Sequence, residues 1–111
     1  MSKFDEKMEA YRKALSSVKK GAADDALLTK VAKGLGPSIY LKDASLVSCS
    51  DQTELDRVKT NFLTKKLGMK DEGKMDAAIK AVCGEYTDNH KYRAVFYYLL
   101  VKNLGKESVY N

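Results

Sequence analysis

The sequence predicts an all-α protein, a compact bundle of about five helices around a central, apolar C-terminal helix, with no sheet. Three observations predict it. Apolar residues recur at steps of three and four through most of the chain. Only one proline interrupts the 111 residues. The stretch Tyr92-Arg93-Ala94-Val95-Phe96-Tyr97-Tyr98-Leu99-Leu100-Val101 is apolar nearly all round when wound as a helix. One face then holds Tyr92, Val95, Phe96, Leu99, Leu100 and Asn103, and the other Ala94, Tyr97, Tyr98 and Val101. Such a helix is normally buried on several sides, which makes it the axis of the fold. The competing reading leaves Tyr97, Tyr98 and Val101 as an exposed contact surface for a partner protein or a second copy.

The elements follow in order. Phe4, Met8, Tyr11, Leu15 and Val18 form one stripe of a helix over residues 3–20, capped by Ser2 and closed by Gly21. Lys19 and Lys20 suit the negative end of its dipole. Asp24 or Asp25 opens a second helix carrying Leu27, Leu28, Val31, Ala32 and Leu35, which Gly34, Gly36 and Pro37 stop. Pro37 then begins a short turn holding Ile39, Tyr40 and Leu41, too short to serve as a DNA-recognition helix. Asp43 to Ser50 is an irregular, serine-rich loop pinned by Leu46 and Val47.

Asp51 and Glu54 have the spacing of a capping box. The helix they start runs to about Leu67, with Leu55, Val58, Phe62, Leu63 and Leu67 inward, and Gly68 ends it. Asp71 or a nearby residue caps a fourth helix with Met75, Ala78, Ile79, Val82, Cys83 and Tyr86 on its apolar face. Thr87 or Asp88 caps the central helix, Gly105 closes it, and Val109 and Tyr110 lie in a short tail.

The length predicts a single domain over residues 1–111. A chain of this mass buries roughly two thirds of its extended surface on folding, enough for a core without metal or disulfides. The N-terminus lacks the apolar run of a secretory signal, and no segment approaches the ~20 apolar residues that span a bilayer. These features predict a cytoplasmic protein with no membrane contact, in which both cysteines are free thiols. A net charge of +5 permits loose attraction to nucleic acid without establishing it.

A resemblance adds to this reading. Ser45-Leu46-Val47-Ser48-Cys49-Ser50-Asp51, Glu54-Leu55-Asp56-Arg57-Val58, Phe62-Leu63 and Lys65-Lys66-Leu67 resemble a small bacterial, all-helical family of uncharacterised proteins, a domain of unknown function. The similarity continues through Asp76-Ala77-Ala78-Ile79, Val82-Cys83 and Phe96-Tyr97-Tyr98-Leu99-Leu100, covering about residues 44–105. The resemblance implies a compact helical protein with no assigned activity, so it carries over no functional residue.

Few residues have the spacing that chemistry requires. Cys49 lies two positions before the Asp51 cap, where a helix dipole would favour a thiolate, and is the candidate reactive thiol. Cys83 falls on an apolar face and reads as core. His90, the single histidine, has no spacing that sets it beside Cys49, and two cysteines with one histidine match no zinc-ligand pattern. The acidic pairs Asp24-Asp25 and Asp71-Glu72 are accounted for by helix starts. Gly34-Leu35-Gly36-Pro37 lacks the phosphate-loop spacing. No catalytic, metal or cofactor site is therefore expected. The expectation is a non-catalytic protein that acts through protein contact or self-association. The alternative is weak binding of RNA or single-stranded DNA through Lys65, Lys66, Lys91 and Arg93, phosphates pairing with the cations and bases stacking on tyrosines.

Overall fold

The computed structural model describes residues 3–18, 24–41, 44–87 and 91–110. Helix α1 (Lys3–Val18) is followed by α2 (Asp25–Leu35), a 3₁₀ turn (Gly36–Tyr40), β1 (Leu46–Val47) and α3 (Gln52–Arg57). A π-helical segment (Val58–Thr64) prolongs α3. Next come α4 (Glu72–Glu85), β2 (Lys91–Tyr92), α5 (Arg93–Leu104) and a final 3₁₀ turn (Glu107–Tyr110). Ser2, Lys19, Lys20, Gly21, Asp43, Asp88 and His90, which figured in the caps, the loop and the histidine argument, lie outside the described residues.

Helix α5 is the axis. Every side chain from Ala94 to Val101 is buried, and α1, α2, α4 and both strands pack against it. Its wheel is apolar on all sides, so only a position with neighbours all round removes that surface from water. Tyr97, Tyr98 and Val101 are 6%, 0% and 0% exposed. The competing reading of an exposed contact surface at these three residues is therefore corrected: their outward face is covered by the chain itself.

Polar starts and glycine stops set the helix ends. Asp24, Asp51 and Asp71 cap α2, α3 and α4, their carboxylates accepting first-turn N–H groups. Gly105 closes α5 in the left-handed conformation at φ +66°. The N–H of Lys106 then reaches back to the Val101 carbonyl at 3.0 Å, the wrap-around bond of a glycine-terminated helix. The final turn folds back, so that Val109 and Tyr110 pack against the core.

Two departures from the expected architecture have physical causes. The third helix does not stay α-helical to Leu67. On an α-helix Leu63 and Leu67 would sit about 140° and 180° from Val58, away from the core. The wider π turn, with bonds from Lys65 N–H to Thr60 and from Leu67 N–H to Phe62, brings Val58, Phe62, Leu63 and Leu67 to one buried face. Secondly, a two-stranded antiparallel sheet is present, pairing Leu46 with Tyr92 and Val47 with Lys91. Val47, expected to pin the loop, does so as a buried strand residue. Lys91 and Tyr92 are thus strand, and α5 begins only at Arg93.

Candidate functional site

Where α5 begins, one polar side chain ties the 44–54 region to the core. Arg93 Nε donates to the Ala44 carbonyl at 2.6 Å, Nη1 to the Tyr97 hydroxyl at 3.0 Å, and Nη2 to the Leu46 carbonyl at 3.1 Å and to the Glu54 carboxylate. The Arg93 N–H also donates to the Ser45 carbonyl at 2.7 Å. The guanidinium and carboxylate side chains are 14% and 16% exposed, so this ion pair is largely shielded from water. Burial opposes the Arg93 charge, but the Tyr97 hydroxyl and Glu54 together hold its pKa above the ordinary value. Burial also raises the Tyr97 phenol, against the pull of Arg93. Phe62 stacks on Tyr97 at 3.9 Å between ring centres, joining the network to the π segment. Glu54 therefore does not complete a capping box; Asp51 caps alone, and Glu54 turns to Arg93.

The buried tyrosines differ in how they satisfy their hydroxyls. Tyr98 accepts from the Asp24 N–H at 2.8 Å, anchoring the start of α2, and Tyr86 accepts from the Tyr92 N–H at 3.0 Å, anchoring the edge of β2. Tyr11, fully buried and edge-on to Tyr92 at 5.2 Å, finds no hydrogen-bond partner among the described residues. Burial, reinforced by the nearby Tyr92, Tyr40 and Tyr86, pushes its pKa up to about 12.

The loop held by Arg93 leads to the cysteines. Cys49 is bonded to Cys83, their Cα atoms 6.0 Å apart, and no cysteine is free. The expectation of two free thiols is corrected: the β1–β2 pairing and the packing of α4 bring together residues 34 positions apart. Cys49 carries no thiol while the bridge is closed, and Cys83 is a bridge residue on the rim of the core. Two clefts flank the bridge. One, of about 730 Å³, is lined by residues 46–51 with Glu54 and Lys91. The other, of about 430 Å³, lies between α3 and α4, where Lys59 bridges Glu72 and Asp76 at 3.3 and 3.1 Å.

The candidate nucleic-acid contacts do not converge. Arg93 points inward and is committed to Glu54. Lys91 lines the cleft beside Cys49, whereas Lys66 sits over the Tyr110 ring at 5.1 Å, at the far end of the π segment. Lys65 and Lys66 remain exposed. Sequence reasoning passed over the 3₁₀ corner after α2. Tyr40 and Leu41 are 44% and 58% exposed, the large hydrophobics left in water among the described residues. A groove of about 200 Å³ beside them is lined by Phe4, Ala32, Ile39 and Tyr40, with Lys33 at its rim. The available signal was Leu41 itself, an apolar residue past the end of its short turn with no helical partner.

A family model of proteins of unknown function, DUF2853, matches residues 10–108. The chain belongs to the DUF2853 family. The match runs from mid-α1 to the last 3₁₀ turn, so the Arg93 network, the bridge and the Tyr40–Leu41 corner all lie inside the DUF2853 region. No curated protein matches the sequence significantly. Among the described residues of this DUF2853 protein, no helix is long and apolar enough to cross a membrane, and no cluster of side chains is suited to hold a metal ion.

Proposed function

We propose that this DUF2853 protein is a non-catalytic helical module that acts by binding another polypeptide, with the Tyr40–Leu41 corner as its contact face. The observation behind this is the placement of two consecutive large apolar side chains in water, beside a groove, where the other large hydrophobics among the described residues are buried or half-buried. The occupant we assign is an acidic segment bearing large apolar side chains. Lys33 rims the groove and the chain carries a net charge of +5, which favours an anionic partner over a second copy of itself. Two exposed side chains also fall well short of the about 20–30 residues that each side of a stable dimer interface contributes. Binding of this size is transient.

The test is fluorescence anisotropy with a labelled peptide carrying Leu and Glu at helical spacing. Saturable binding that weakens at least about tenfold in Leu41→Glu, with an unchanged melting temperature, supports the proposal. Equal affinity of both proteins, no binding at all, or a dimer seen by light scattering that Leu41→Glu dissolves would each overturn it. Nucleic-acid binding has less behind it, because Arg93 is occupied and Lys91 lies elsewhere. It predicts a steep salt dependence that charge reversal at Lys65 and Lys66 removes.

A further inference from the structure

The Cys49–Cys83 bridge plays no part in the proposed contact, and its surroundings suit chemistry of its own. Both cysteines are only half-buried, and Cys49 is the residue common to the walls of the two clefts. A solvent-borne thiol therefore has an approach to the sulfurs. The cleft between α3 and α4, which Cys83 lines, is also lined by Asp56, Asp76, Lys59 and Lys80; Lys59 is committed to Glu72 and Asp76, whereas Lys80 stands one turn before Cys83 on the same helix. The Lys80 ammonium, one turn from Cys83, favours a thiolate there once the bridge opens. Both ends of the bridge are anchored without it. Arg93 and the β ladder hold residues 44–47, and buried Met75, Ala78, Ile79 and Val82 hold α4.

We propose that Cys49–Cys83 is a reversible thiol–disulfide exchange site whose co-reactant is a dithiol. One thiolate of the dithiol enters the α3–α4 cleft and bonds to Cys83 Sγ. The Cys49–Cys83 bond breaks, and its electron pair leaves with Cys49 Sγ, which takes up a proton. The second thiolate of the dithiol then attacks its own sulfur in the mixed disulfide, releasing Cys83 as a thiolate that is protonated in turn. The dithiol is oxidised by two electrons, the bridge is reduced by two, and the two protons shed by the dithiol balance those gained by the cysteines. A disulfide exposed to attacking thiolate is the labile kind, in contrast to bridges sealed in a core.

The experiment uses the intact protein and dithiothreitol near neutral pH, with acid quench, alkylation and mass spectrometry to count thiols. The expected result is complete reduction in native buffer, at a rate within about tenfold of that in urea, with helical circular dichroism retained and the bridge restored by an oxidised dithiol. Lys80→Glu should slow native reduction by about threefold or more, through repulsion of the incoming thiolate, while leaving the melting temperature unchanged. A bridge that resists reduction until the chain is unfolded, loss of the helical signal on reduction, or an unaltered rate in Lys80→Glu would overturn the proposal.

Discussion

Replacing Arg93 by methionine tests the polar tie at the start of α5. The substitution keeps an unbranched apolar stem and removes every donor. The Ala44 and Leu46 carbonyls, both on half-buried residues, then each lose a hydrogen bond worth about 1 kcal/mol. Glu54, 16% exposed, is left as a shielded carboxylate without its cation, the larger share of the loss. Taken together the expected destabilisation is about 3–5 kcal/mol. For 111 residues the unfolding entropy is roughly 0.23 kcal/mol/K, so the melting temperature should fall by about 13–22 °C. Calorimetry or denaturant titration reads this directly. Adding Glu54→Leu to the variant should recover part of the loss, because the stranded charge disappears, and the double-mutant cycle should show coupling of at least about 1 kcal/mol. A loss below about 1 kcal/mol for Arg93→Met, or strict additivity with Glu54→Leu, would refute the reasoning.

Other outcomes follow from the tyrosines and the bridge. Tyr11→Phe removes a buried hydroxyl that has no partner among the described residues, so it should stabilise the protein by about 1 kcal/mol, measured by urea titration. The same phenol makes stability fall at alkaline pH. Its pKa is about 12 in the fold and near 10 in the unfolded chain, so above pH 10 the unfolded chain has shed a proton that the fold still holds. Stability is thus full below about pH 10 and drops between 10 and 12, by about 2–3 kcal/mol from Tyr11 alone. Tyr110, also pushed by burial to about 12, adds in the same direction, and Tyr11→Phe should flatten the profile in part. Opening the bridge in Cys49→Ser/Cys83→Ser releases a closed loop spanning 34 positions, which should cost about 2–4 kcal/mol and lower the melting temperature by about 9–17 °C without abolishing folding.

What was legible in the sequence is what local periodicity and end signals encode. The stripe from Phe4 to Val18, the caps at Asp51 and Asp71, the stops at Gly68 and Gly105, and the all-round apolar character of α5 each depend on residues within a few turns of one another. Gly68 and Gly105 adopt φ of +70° and +66°, as a helix-ending glycine should. The π segment was legible only in hindsight, as the awkward α-helical placement of Leu63 and Leu67. A ladder of two residues per strand has no alternation to detect. The bridge and the Arg93 network are properties of the assembled chain: Cys49 meets Cys83, and Arg93 meets Ala44 and Glu54, only after the strands pair. The competing reading of Tyr97 and Tyr98 as surface failed in a related way, since the wheel showed two apolar faces but not that α2 and the π segment cover the second.

The account stands on α5 being spent entirely as the core, which leaves contact to the Tyr40–Leu41 corner. Native-state hydrogen exchange measures this most directly. The amides of residues 97–101 should exchange only through global unfolding, with protection free energies equal to the equilibrium stability and falling with it in Arg93→Met. Exchange of those amides through local opening, several kcal/mol below the global value, would contradict the account.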